Sequence, residues 1–182
     1  RPELIMVGVN TDAYQPIERD LKITRGLLEV LSEARHPFGL VTKSSLVERD
    51  LDLIGPMAGQ RLASVSISIT TLDSRLSRIM EPRAASPQRR LRTVRTLADA
   101  GVPVRVNVAP VIPFINEPEI ESIIDAVAAA GAVNAHYTVV RLPWEVSPLF
   151  EEWLATHFPD RAQRVLNRIR EMRGGKNYDA QF

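Results

Sequence analysis

Cysteine is absent from this chain of 182 residues, which excludes disulfides and any thiolate-held metal within it. Histidine is nearly as scarce. His36, His136 and His157 are scattered, without the H-x3–5-H spacing of a zinc site. The formal net charge of +1 creates no field that demands nucleic acid or an anionic membrane. No apolar run approaches the roughly 20 residues of a membrane span, and no secretory signal is visible, so a cytoplasmic location is the default expectation. Also missing are a Walker A loop, a G-x-G-x-x-G turn and a G-x-S-x-G elbow, which disfavours the common nucleotide folds and a serine nucleophile of that type.

What is present is a rhythm: short apolar strands run out into polar clusters, and each cluster leads into an amphipathic helix. Strands are expected near 3–9, 37–43, 62–70, 102–111 and 134–141. They read as near-continuous apolar runs, as strands do when both sheet faces are covered. Leu21, Thr24, Leu27, Leu28 and Leu31 recur at helical spacing before His36-Pro37. Ser45 to Met57 predicts a second helix that frays at Gly55-Pro56, and Ser74 to Met80 another. Ser86-Pro87 is an N-cap with proline at the first helical position, and Gly101 ends that helix. Asn116 with Glu119 forms a capping box for a helix closed by Gly131. Ser147-Pro148 and Asp160 cap the last two helices, the second ending at Gly174-Gly175.

The fold class is therefore α/β, with about five βα units in a single domain over 1–182. That is too few to close an eight-stranded barrel, and an open or partial barrel fits better. Parallel strands joined by helices bring their C-terminal ends to one rim, where the polar clusters converge and the chemistry is expected. The start at Arg1-Pro2, without an initiator Met and almost directly in a strand, leads us to expect a fragment of a longer protein.

Each cluster has a functional and a bland reading. Asn10 to Glu18 is long and polar for a βα loop and is read as ligand-binding; the alternative is that Asp12 and Gln15 cap the next helix. Lys43 sits at the rim, where a cation pairs with a carboxylate or phosphate, or is simply solvated. Ser66 and Ser68 share one side of a strand and need partners. Ser68, nearer the rim, is the better candidate for a ligand hydroxyl. Glu81-Pro82-Arg83 reads as a carboxylate and a guanidinium bracing their own loop. Arg89, Arg90, Arg92 and Arg95 look like a nucleic-acid stripe, but on this helix they are better read as a solvated outer face. Asn107 and Ala109 through Pro113 form an apolar strand end with a free backbone edge, suited to a flat heterocycle or to plain burial.

In order and spacing these stretches resemble the radical S-adenosylmethionine (SAM) superfamily, specifically its spore photoproduct lyase-like branch. The residues that carry the resemblance are Gly8-Val-Asn-Thr-Asp-Ala-Tyr-Gln-Pro-Ile-Glu18, Val41-Thr-Lys-Ser44 and Ser66-Ile-Ser-Ile-Thr-Thr-Leu-Asp73. Glu81-Pro-Arg-Ala84, Val108-Ala-Pro-Val-Ile-Pro113, Arg141-Leu-Pro143 and Arg173-Gly-Gly-Lys-Asn-Tyr-Asp179 add to it. The resemblance implies a six-stranded partial (β/α) barrel whose first strand leads into a C-x3-C-x2-C loop holding a 4Fe–4S cluster. The cluster and SAM then generate a 5′-deoxyadenosyl radical that abstracts hydrogen from a substrate. It implies that Asn10, Thr11 and Asp12 stand where the methionine amino group binds, and that Lys43 pairs with the methionine carboxylate. Ser68 lies in the strand that contacts the ribose, and Ala109, Pro110, Val111 and Ile112 match the strand flanking adenine.

The departure is the missing cysteine. The five strands would be the second to sixth of the barrel, and this chain alone is expected to be inactive. SAM is the expected partner, with the 4Fe–4S cluster present in the full-length protein only. The resemblance to a DNA-lesion lyase leaves a nucleic-acid substrate open, although the charge does not argue for it. An exposed sheet edge would invite non-native dimerisation of the fragment. Two competing readings are a Schiff-base lyase or aldolase using Lys43 and a nucleic-acid-binding module using Arg89, Arg90 and Arg92.

Overall fold

A computed structural model describes residues 2–178. Its strands are β1 (Ile5–Val7), β2 (Phe38–Thr42), β3 (Ala63–Ser68), β4 (Val104–Val111) and β5 (Asn134–Val139). All pair in parallel, in the order β1-β2-β3-β4-β5, as one open sheet. Parallel neighbours cannot be joined by a tight turn, so each connection carries helix. These are α1 (Glu18–Leu21), α2 (Ile23–Glu33), α3 (Leu51–Gly59), α4 (Ser74–Met80), α5 (Pro87–Asp99) and α6 (Ile120–Ala129). Helices α7 (Val146–His157) and α8 (Pro159–Glu171) close the described chain. No helix among the described residues is long and apolar enough to cross a membrane.

The main core lies on one face of the sheet only. Phe38, Leu40, Val65, Ile67, Ile69, Val104, Val106 and Val108 pack with Leu28, Leu31, Ile54, Val94, Leu97, Ile123 and Val127 from the crossover helices. Side chains alternate along a strand, so the opposite face carries Gly39, Val41, Ser64, Ser66, Ser68, Arg105 and Asn107. This corrects the expectation that both faces are covered by apolar packing. The second face is the polar inner face of a partial barrel, and β5 stays largely exposed along it. A smaller cluster of Leu76, Ile112, Ile115, Leu142, Leu154, Val165 and Ile169 seats α7 and α8 at the end of the sheet.

Helix punctuation is partly as expected. Ser86 Oγ accepts the Arg89 N–H with Pro87 in the first turn, and Gly101 and Gly131 take the positive φ of helix ends. Other boundaries differ. Lys22, at φ 52°, breaks the first helix in two, and Leu21 and Leu27 are exposed rather than inward. Pro56 lies inside α3 rather than fraying it, and residues Ser45–Asp50 before it wind as a 3-10 helix. Ser147 falls within α7, bonded to Glu151, and Asp160 follows Pro159 inside α8, so neither is the cap. The supposed box residues Asn116 and Glu119 reach away from their helix altogether.

One glycine is dictated by close approach. Gly8 has φ +91°, and a Cβ there would lie 2.2 Å from the Val41 carbonyl oxygen of the neighbouring strand. Strain and overlap of this kind destabilise by about 2 kcal/mol or more. Gly8→Ala is therefore expected to lower the urea midpoint by that equivalent, and an unchanged midpoint would disprove the tight β1–β2 contact.

Candidate functional site

The loop after β1 is anchored before it can serve anything else. Asp12 Oδ1 accepts the Tyr14 N–H at 2.9 Å and the Thr42 hydroxyl at 2.6 Å, and its Oδ2 accepts the Lys43 N–H at 2.8 Å. This carboxylate clamps the loop to the end of β2. Tyr14, buried, donates to Asp50 Oδ2 at 3.1 Å. Burial, first, and the Asp50 charge push its phenol upward. Glu18 is buried and accepts the Thr24 and Arg25 N–H groups, capping α2, whose own N-cap residue Lys22 supplies no side-chain bond. Arg49 binds both Glu18 and the fully buried Asp50. Burial alone would raise the Glu18 pKa, but the bonds from Arg49 and the two backbone amides hold it below the ordinary carboxylate range. So Asp12, Tyr14 and Glu18 make the loop rigid, while Gln15 and Pro16 remain at the surface. Asn10 and Thr11 are exposed at its start.

A second chain of charges crosses the rim from α5 to β2. Arg90 is only 2% exposed. Its Nε donates to Ala85 O at 2.7 Å, Nη1 to Ser68 O at 2.9 Å and Nη2 to Glu81 Oε2 at 2.5 Å. Lys43 Nζ stands 3.0 Å from the other Glu81 oxygen, an ionic contact outside the direction of a regular hydrogen bond. Burial would raise Glu81, but the charges of Arg90 and Lys43 outweigh it and hold the carboxyl below its usual range. Two expectations change here. Glu81 is not braced by Arg83, because its partners are Lys43 just beyond β2, Thr70 just beyond β3 and Arg90 of α5. Arg90 is not part of a solvated stripe: it lies four and seven residues before Val94 and Leu97 on the inward face, and Arg89 is paired with Glu48.

Lys43 borders a cavity of about 650 Å³, lined by residues of three rim loops that include Asp12, Gln15, Ser44 and Arg83, while Glu81 and Arg90 are not among its lining residues. Asn10, Thr11, Ser68 and Ala109 to Ile112 are not among its lining residues. Ser68 is buried, one strand over, joined to Lys43 through Arg90 and Glu81. Val111 and Ile112 are each 3% exposed, within the cores. The strand end they form is not a free backbone edge. Asn116, fully buried, donates to Pro110 O at 2.9 Å and Thr70 O at 2.7 Å, and accepts the Ile112 N–H at 2.6 Å. Glu119 accepts from Thr71 and Leu72. The capping-box residues are thus struts between the ends of β3 and β4. A Schiff-base role for Lys43 lacks a physical basis, since a side chain 39% exposed and held on a carboxylate has not been desolvated in the way that activates such an amine.

The fold and this rim define a parallel α/β partial barrel with a ligand-sized cavity at the C-terminal ends of its strands. Residues 1–127 match the radical SAM superfamily, and the chain belongs to that superfamily. An uncharacterized protein of Mycobacterium tuberculosis is 32% identical over 174 residues, which is 94% of this chain and 50% of the relative. One from Methanocaldococcus jannaschii is 27% identical over 158 residues, 87% of this chain and 58% of the relative. The chain spans about half the length of these relatives. Among solved structures, that of Streptococcus suis SuiB bound to S-adenosylmethionine shares the fold. The TM-score is 0.52 at 13% identity, over 76% of this chain and 33% of the other.

The Arg90–Glu81 pair sets the stability of this rim. Removing one partner of a buried pair leaves an uncompensated charge and costs about 3–5 kcal/mol. Arg90→Gln is expected to destabilise by that order at pH 7, measured by urea unfolding. The sign with pH follows from the depressed Glu81 pKa. The native chain holds this contribution above the unfolded carboxylate pKa of about 4.3 and loses it as pH falls through the lower folded value. In the variant only Lys43 offsets the burial of Glu81, so its carboxyl is held down less and acidification costs that protein less. The gap between the two proteins should narrow from pH 7 to pH 4, and a constant gap would contradict the assignment.

Proposed function

We propose that the rim cavity binds S-adenosylmethionine and that the complete protein is a radical SAM enzyme of the spore photoproduct lyase-like kind. The observation that carries this reading is Lys43, a cation at the cavity wall positioned through Glu81 by a buried arginine. Such an ammonium suits the methionine carboxylate, and the carboxylate of Asp12, also on the wall, suits the methionine amino group. Lys43 and Ser68 stand one residue beyond the register partners Thr42 and Ile67, so the methionine end would occupy the cavity and the nucleoside would extend past its wall along the strand ends toward Ser68. Ala109 and Pro110, which stay partly exposed, would lie against adenine, with Val111 and Ile112 as the packed layer behind them.

The residues fit the nucleoside cofactor but not the iron–sulfur cluster. The chain has no cysteine, and no group of three or more His, Asp or Glu able to hold a metal occurs among the described residues. The thiolates must then come from outside this chain, and these residues alone should be inactive in radical chemistry. In a complete protein that held such a cluster, bound SAM would supply hydrogen-abstracting radical chemistry. This chain's part is to hold the methionine end at Lys43 and Asp12 and keep the rim rigid. The substrate stays within the lyase-like reading; nucleic acid is one class that reading admits.

Calorimetric titration with S-adenosylmethionine tests the site without the cluster. Lys43→Gln removes a charged hydrogen bond of about 1.5–3 kcal/mol, which corresponds to roughly 10–100-fold weaker binding. Glu81 keeps Arg90, so folding should survive the change. Failure of the unaltered chain to bind, or equal affinity in the variant, would sink this reading.

A further inference from the structure

Guanidinium groups near this rim fall into two sets. Arg25 is held by Asp50 and Asp52, Arg49 by Glu18 and Asp50, Arg89 by Glu48 and Arg90 by Glu81. Each serves the scaffold. Arg19, from α1, and Arg83, from the loop between α4 and α5, line the same cavity as Lys43. Both are exposed, and neither side chain has an ion pair or hydrogen bond among the described residues. Asp12 is the one carboxylate on the cavity wall, and both its oxygens are engaged by Tyr14, Thr42 and Lys43. The wall therefore carries Arg19, Arg83 and Lys43 against a single carboxylate, Asp12, an excess of positive charge, and neither guanidinium is paired with that carboxylate. Ser44 is on the wall too; its Oγ accepts the Leu46 N–H at 3.2 Å, which leaves its own proton free to donate.

We infer that Arg19, Arg83 and Ser44 form an anion subsite for a phosphate group on a second ligand of the cavity, the substrate. A guanidinium fork recognises carboxylate and phosphate alike. Two forks from different elements, with a hydroxyl donor between their loops, suit a dianion that accepts from several directions better than a planar monoanion. The inference rests on the proposed function for the identity of the neighbouring ligand, because it assigns Lys43 to the methionine carboxylate and leaves Arg19 and Arg83 to something else.

The test titrates the full chain with inorganic phosphate, with acetate at matched ionic strength, and with S-adenosylmethionine. Phosphate should bind and acetate should not. The double variant Arg19→Gln, Arg83→Gln should lose at least tenfold in phosphate affinity while its S-adenosylmethionine affinity stays within twofold of the parent. Both side chains are exposed and unpaired, so the urea midpoint should not move, which separates lost binding from lost folding. Absence of phosphate binding, equal binding of acetate, or phosphate affinity unchanged in the double variant would each overturn the subsite. So would a loss of S-adenosylmethionine affinity matching that of Lys43→Gln, since the guanidiniums would then serve the methionine carboxylate. A chain that takes phosphate but not S-adenosylmethionine would refute the proposed cofactor and leave the subsite standing.

Discussion

The buried Arg90 guanidinium is the constraint on which the rim depends. It joins the end of β3, through Ser68 O, to the loop before α5, through Ala85 O, and to Glu81. Glu81 in turn fixes where Lys43 can stand. A buried arginine tolerates this position because every contact is charge-assisted or made to a carbonyl, which offsets its desolvation. Without it, β3 would end in an unpaired carbonyl and Glu81 would be a buried anion facing a half-exposed lysine. The position of the only rim cation assigned to the cofactor is therefore set two residues away from the cavity wall.

Much of the fold was legible in the sequence, because parallel strands and their crossovers leave strong marks. Val104 to Val108 and Val65 to Ile69 read as strands from β-branched residues, and Ser86-Pro87 with Gly101 bounds α5 on both sides. The site was less legible. Asp12, Tyr14 and Glu18 were visible as polar residues in a long loop, but composition cannot tell a ligand-facing carboxylate from one facing Thr42 or Arg49. Arg90 was hidden by company: four arginines on one helix look like a solvated face. The signal that separates it is spacing, since Arg90, Val94 and Leu97 fall at i, i+4 and i+7 and must share a face. Asn116 and Glu119 show the opposite trap. Their spacing fits a capping box, but stronger partners across the rim, the unpaired groups at the ends of β3 and β4, took both side chains.

The polarity of the inner face follows from the same architecture. The main core packs α2, α3, α5 and α6 against one side, so alternation sends Ser64, Ser66, Ser68, Arg105 and Asn107 to the other. Asn107 Oδ1 is buried without a partner, next to Ser68 in register. An orphan acceptor of this kind costs about 1–3 kcal/mol.

An open sheet lacks the closure that gives a barrel its register, and this chain supplies order by stitching strand ends together with side chains. Asp12, beyond β1, binds the end of β2 at Thr42 and Lys43. Arg90, on the helix entering β4, binds the end of β3. Asn116 and Glu119, beyond β4, reach back to Thr70, Thr71 and Leu72 beyond β3. Each stitch is worth only about 0.5–3 kcal/mol, but each joins segments far apart in sequence, so the loops lose freedom together. The rim is consequently tied down at Asp12, Lys43 and Glu81. Arg19 and Arg83, exposed on the same cavity, have no side-chain partner among the described residues and are left out of this stitching.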